Sequence, residues 1–137
     1  GIEILLPLDS VNSISFSNEI SSTTNIFNIP DDSMGLDIGP KSAALFEKEI
    51  HLAKSIIWNG PMGVFEFSNF SNGTKQIGEA VAKSTFRGAY SLVGGGDSVA
   101  AVKKYNLEEG VSYVSTGGGA MLEFLEGKKL PALKALL

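Results

Sequence analysis

The chain has 137 residues, 43% hydrophobic and 19% charged, enough for one compact domain with a core and too few for two comfortable ones. Its net charge of −4, from 15 acidic and 11 basic residues with no Lys/Arg-rich run, argues against nucleic acid as a main partner. With no cysteine and one histidine, the chain can form no disulfide, thiolate zinc site, Cys nucleophile or multi-His metal site, and no apolar run is long enough to span a membrane.

The opening Gly1-Ile2-Glu3-Ile4 has no cationic region and is not a signal peptide. It lacks a starting Met and enters a strand-like run at once, so the sequence reads as cut from a longer protein. Ile4-Leu5-Leu6-Pro7-Leu8 is a continuous apolar run suited to a sheet covered on both faces. From Ser10 to Asn28 the chain is rich in Ser, Asn and Thr, with weak alternation at Val11, Ile14 and Phe16, and reads as short strand pieces and loop. Met34 to Pro40 reads as a loop leading into a helix, with Pro40 at the first helical position. Ala43, Phe46, Ile50 and Ala53 give that helix one buried stripe. His51 falls off the stripe, beside Glu47, and reads as a solvated surface residue.

Ser55-Ile56-Ile57-Trp58 is a short strand ending in the turn Asn59-Gly60-Pro61, with Trp58 as buried packing. A second helix places Phe70, Thr74, Ile77 and Val81 on one face. Ala89 to Val93 is a strand running into Gly94-Gly95-Gly96-Asp97, and a short helix follows with Val99 and Val102 inward. Val111 to Ser115 is a further strand, running into Thr116-Gly117-Gly118-Gly119. Its helix carries Leu122 and Leu125 and stops at Gly127, a left-handed cap. Pro131 opens a last amphipathic helix with Leu133, Leu136 and Leu137. Strand and helix alternate with short links, which predicts an α/β fold: a Rossmann-like parallel sheet with helices on both faces. Ligands of such sheets lie outside the carboxyl ends of the strands, where the loops Asn59 to Gly63, Gly94 to Asp97 and Thr116 to Gly119 sit.

Each glycine triplet stands between a strand and a helix, where the backbone can approach a ligand and the helix start offers free N–H groups to phosphate. Ordinary tight turns are the alternative. Neither run is a P-loop or a spaced dinucleotide fingerprint, and neither carries a lysine. Asp97, directly after three glycines, would repel a phosphate unless a cation lay between them, and Mg²⁺ prefers one or two carboxylates plus phosphate oxygens. A helix N-cap is its other reading. Glu66 could accept hydrogen bonds from sugar hydroxyls or serve as a surface acid.

Taken in order, these segments resemble phosphoglycerate kinase. Ile4 to Asp9 is similar to its Leu-Leu-Pro-Val-Asp strand, Met34 to Pro40 to Met-Gly-Leu-Asp-x-Gly-Pro, and Trp58 to Glu66 to Trp-Asn-Gly-Pro-x-Gly-Val-Phe-Glu. Val93 to Ser98 is similar to Gly-Gly-Gly-Asp-Thr, and Val114 to Glu123 to Val-Ser-Thr-Gly-Gly-Gly-Ala-x-Leu-Glu, continued by Leu125 to Pro131. The resemblance implies that residues 1–137 are the nucleotide-binding, carboxy-terminal domain of a two-domain kinase, incomplete at its N-terminal side. It implies a cytoplasmic glycolytic enzyme, monomeric at full length, moving a phosphoryl group between 1,3-bisphosphoglycerate and ADP with Mg²⁺, and yielding 3-phosphoglycerate and ATP.

By the same resemblance Gly35 and Leu36 lie along the adenine, Val64 forms its wall, Asn59 and Pro61 line the nucleotide site, and Glu66 holds the ribose hydroxyls. Gly95, Gly96, Asp97 and Ser98 form the phosphate–magnesium loop, with Asp97 on the metal. Gly95, Gly118 and Gly119 face the phosphoryl group in flight. Ser98 departs from the family's Thr and Met121 from a small polar residue, and Ser10 to Asn28 matches poorly. The family's sugar-acid domain and an early lysine-bearing unit have no counterpart in these residues, so no turnover is expected from this polypeptide alone. A non-catalytic nucleotide-binding module or folding fragment is the alternative. A dehydrogenase half is disfavoured by the missing fingerprint.

Overall fold

The computed structural model describes residues 1–136. Two small sheets share the chain. The first is antiparallel, in the order β2-β1-β3, with β1 at Asp9–Ser13, β2 at Ser22–Asn25 and β3 at Met34–Ile38. The second is parallel, in the order β4-β5-β6, with β4 at Ser55–Asn59, β5 at Tyr90–Gly94 and β6 at Tyr113–Val114. Helices α1 (Pro40–Leu52), α2 (Asn72–Phe86) and α3 (Gly96–Lys104) connect and flank them, and α4 (Gly118–Leu125) and α5 (Pro131–Leu136) follow.

The parallel half is as the alternation predicts. β4 runs beside β5 from Ser55↔Tyr90 to Asn59↔Gly94, and β5 beside β6 at Leu92↔Tyr113 and Val93↔Val114. Trp58, Ile77, Val81, Val93, Ala101, Val102 and Val111 form one buried cluster between this sheet and its helices. Phe70 and Thr74 are also fully buried, although Phe70 lies in a short 3-10 turn just before α2. In α3, Ser98, Ala101 and Val102 point inward, and Val99 is only half-buried. Pro40 opens α1 as its composition predicts. Gly127, with φ of +80°, ends the turn after α4.

Five readings of the sequence are corrected. Ile4–Leu8 forms no ladder, because a strand exists only beside a partner and none adjoins this run among the described residues. Ile2, Ile4 and Leu6 are exposed at 95%, 79% and 69%. Met34–Ile38 is a strand, not a loop: it pairs with β1 from Ser10↔Ile38 to Ser13↔Met34, across a bulge at Val11/Asn12. The strand expected over Val111–Ser115 keeps only two paired residues. His51 is half-buried, not solvated. Its Nδ1 lies 2.8 Å from an Arg87 guanidinium nitrogen and its Nε2 3.4 Å from the Glu47 carboxylate, in the seam between α1 and α2. The expected stripe of α5 has no buried residue within Pro131–Leu136, and Leu137 lies outside the described residues.

The Ser/Asn-rich stretch folds as a polar hairpin. Val11 pairs with Thr23 and Asn12 with Ser22, and the Asn12 amide donates to Ser22 Oγ at 3.1 Å and Thr24 Oγ1 at 2.9 Å. The antiparallel sheet is locked to the helices by carboxylates. The residues just before α1 and α2, Gly39 and Ser71, supply no capping side chain. Asp9 on β1 instead takes the Ser42 N–H at 2.8 Å and the Lys41 N–H at 3.0 Å, and Asp37 on β3 takes the Gly73 N–H at 2.9 Å. Each carboxylate meets the positive end of a helix that its own strand does not belong to.

Candidate functional site

β3 and the turn after β4 face each other across an open cleft of about 470 Å³, lined by Gly35, Leu36, Pro61, Met62 and Val64 together with the buried Asp9 and Asp37. The Val64 N–H donates to the Leu36 carbonyl at 2.8 Å, so the two walls are joined by backbone. Gly35, Leu36 and Val64, expected at the adenine, and Pro61, expected to line the nucleotide site, therefore meet in one place.

The glycine triplets meet beside the other end of the same turn. β5 runs straight into Gly95, which has φ of +89° and stands before α3, a conformation that strains any residue with a Cβ. A Cβ on Gly118 would sit 2.5 Å from the Gly95 amide nitrogen and 2.7 Å from its Cα, so the second triplet lies directly on the first. A Cβ on Gly95 would also sit 2.7 Å from Asn59 Oδ1. Neither α3 nor α4 has a side-chain cap at its start, so the first N–H groups of both helices remain available to an outside acceptor. Gly96 and Gly119 have nothing within 4 Å of where a Cβ would stand.

Asp97 lies in the first turn of α3 and is exposed. It does not cap the helix, since that position belongs to Gly95 and no side chain bonds there. The capping reading of this carboxylate thus fails, and its oxygens are left to other partners. Among the described residues no three His, Cys, Asp or Glu side chains converge to hold a metal. Asp97 as a lone carboxylate fits the donor set of Mg²⁺, which takes one or two carboxylates and completes its shell from phosphate and water. Ser98 is otherwise engaged: it is fully buried and its Oγ accepts the Gly60 N–H at 2.5 Å, tying the triplet loop to the Asn59–Pro61 turn.

A family model described as phosphoglycerate kinase matches residues 1–128. The chain belongs to the phosphoglycerate kinase family. It is 53% identical over 137 residues to the phosphoglycerate kinase of Porphyromonas gingivalis, covering 99% of this chain and 33% of that protein. It is 51% identical over 138 residues to the probable phosphoglycerate kinase of Caenorhabditis elegans, again covering 99% and 33%. The solved phosphoglycerate kinase of Coxiella burnetii superposes with a TM-score of 0.88 at 48% identity, over 95% of this chain and 33% of that one. For that of Pyrococcus horikoshii the TM-score is 0.79 at 36% identity, over 95% and 31%. The chain thus spans about a third of the length of the relatives it matches.

Glu66, expected at the ribose, does not line the cleft, and neither do Asn59 and the Gly95–Ser98 loop. Glu66 is exposed, at the tip of the Val64–Phe67 turn, whose Phe67 N–H returns to the Val64 carbonyl at 3.0 Å. Met121 lies with its sulfur and terminal methyl against Gly94. Two site carboxyls were not singled out by the sequence reading. Burial pushes the Asp37 carboxyl up to about 6, against the lowering hydrogen bonds from Gly73 and Ile38. Asp9 is also raised by burial, but the Ser42 hydroxyl and the Lys41 and Ser42 amides outweigh that and hold it below its usual value. Asp9 directly follows the apolar run Ile4–Leu8 and Asp37 stands between Leu36 and Ile38, a signal that the sequence did contain. Among the described residues no helix is long and apolar enough to cross a membrane.

Proposed function

We propose that these residues are the nucleotide-binding part of a phosphoglycerate kinase, holding MgADP or MgATP for transfer of a phosphoryl group between 1,3-bisphosphoglycerate and ADP. The observation that carries this is the apposition of Gly118 on Gly95, which sets two uncapped helix starts side by side. Their backbone amides offer hydrogen bonds to a polyphosphate, and Asp97 offers a carboxylate to the Mg²⁺ that neutralises it. The cleft walled by Leu36, Pro61 and Val64 takes the base, and Glu66 takes the ribose hydroxyls. Gly95, Gly118 and Gly119 then lie where charge develops on the transferring group, and amides fixed by the fold stabilise it without reorganising.

Binding and turnover are separate parts of this reading. A polypeptide of these 137 residues binds MgADP but does not turn over, because the sugar acid and the closure that excludes water come from the rest of the enzyme. Calorimetric titration with MgADP tests it. Binding that weakens at least about tenfold in Asp97→Ala or without Mg²⁺ supports the proposal. Binding indifferent to both, or none at all, overturns it, and steady kinase activity from the isolated polypeptide overturns the second part.

A further inference from the structure

Lys104, the last residue of α3, reaches back across the chain to the turn that carries Glu66. Its Nζ donates to the Phe65 carbonyl at 2.5 Å, with the Phe65 ring 5.5 Å away and the Tyr105 ring 5.9 Å away. That carbonyl belongs to the peptide bond joining Phe65 to Glu66. The Phe65 ring is buried, the Val64 N–H is fixed to Leu36, and the Phe67 N–H returns to Val64. Glu66 therefore projects from a backbone pinned on both sides. Among the described residues no hydrogen bond or ion pair holds its carboxylate, so this backbone is what fixes where its side chain begins.

We propose that Lys104 is a positioning residue that makes the site selective for ligands carrying a ribose diol. The inference rests on the nucleotide reading above and deepens it. α3 begins at the Gly96-Asp97 loop and ends at Lys104. A helix of 9 residues is about 13 Å long and does not compress, so it fixes the distance between the phosphate loop and the turn that carries the ribose acid. A ribonucleoside diphosphate presents phosphates and a vicinal diol at one separation. A nucleotide without the diol gains nothing from a well-aimed Glu66.

The test is calorimetry on the full chain with MgADP and with Mg-2′,3′-dideoxyADP. Wild type should prefer ADP by about tenfold, the worth of one or two hydrogen bonds to a carboxylate. Lys104→Met keeps the stem over the rings and removes the donor. It should lose most of that preference by weakening ADP alone, leaving the dideoxy affinity in place. Glu66→Gln should abolish the preference, and the double variant should be no worse than Glu66→Gln. If Lys104→Met weakens both nucleotides equally, or leaves the ratio unchanged, the inference is overturned while the nucleotide reading stands. If wild type binds both equally, the ribose role of Glu66 falls with it. If wild type binds neither, the proposed function falls and takes the inference along.

Discussion

The carboxylate of Asp37, on β3, accepts the backbone N–H of Gly73 at the start of α2 at 2.9 Å, and that of Ile38 in its own strand at 2.8 Å. One side chain thus caps a helix, holds the antiparallel sheet to the helical layer, and lines the cleft. It does so in a buried setting that penalises its charge.

That penalty has a sign. A folded-state value raised from 3.8 to about 6 means that the folded chain binds the proton more tightly than the unfolded chain. The contribution of Asp37 to stability is present in full below 3.8 and is lost as pH rises through about 6. A shift of that size corresponds to at most about 3 kcal/mol, and solvent at the cleft mouth reduces it to on the order of 1–2 kcal/mol. Urea unfolding of wild type and Asp37→Asn at several pH values between 4 and 7 should show wild type losing stability relative to the variant as pH rises. Parallel curves would contradict the assignment.

Asp9 should behave in the opposite sense. Its hydrogen bonds from Ser42 and Lys41 stabilise the charged form, so its contribution is present above the unfolded carboxyl value and is lost as pH falls. Asp9→Ala removes the cap of α1, while the Ser42 hydroxyl can still donate to the backbone carbonyl of residue 9, a loss of about 1 kcal/mol near neutral pH. The loss should shrink below pH 4. Thermal unfolding at pH 7 and pH 3 compares the two; an equal cost at both pH values would remove the ionic role of Asp9.

Gly118 and Gly119 are neighbours with different constraints. A Cβ on Gly118 meets Gly95 backbone, which cannot give way, whereas one on Gly119 meets nothing within 4 Å. Gly118→Ala should therefore destabilise the chain by about 1–3 kcal/mol through overpacking, and should separate the two loops. Gly119→Ala should leave the unfolding midpoint within experimental scatter of wild type. Denaturant titration of both variants checks the contrast. MgADP binding by Gly118→Ala at wild-type affinity would show that the apposed loops are not the phosphate site.

The parallel half of the fold was legible because its signals are local. Apolar runs of strand length, glycine triplets and helical stripes lie within a few residues of one another, and Pro40 marks its helix directly. The antiparallel half was not. β3 contains Gly35 and an acid and shows no alternation, and it is a strand only because β1 lies beside it more than twenty residues earlier. The same non-locality hides the caps of α1 and α2 and the reach of Lys104 to Phe65, each spanning more than thirty residues of chain. The run Ile4–Leu8 shows the converse: a strong strand pattern remains unpaired where no neighbour is at hand.

Met121 lends itself to a double-mutant cycle. Its Sδ lies 2.9 Å from the place of a Cβ on Gly94, and its terminal methyl is nearer still. Gly94 is the last residue of β5 and is buried, so a methyl added there must displace Met121 or push the strand end away from α4. Gly94→Ala alone should cost about 1–2 kcal/mol by overpacking. Met121→Ala alone should cost about 1 kcal/mol, since Met121 is only half-buried and the gap opens toward solvent. In the double variant the added methyl occupies space vacated by the thioether, and the costs should fall short of their sum by about 1 kcal/mol. Met121→Ser, which also shortens the side chain, should relieve Gly94→Ala in the same way. Strict additivity in urea unfolding would show that Met121 does not press on β5, and would leave this side chain without a structural consequence for the phosphate loops.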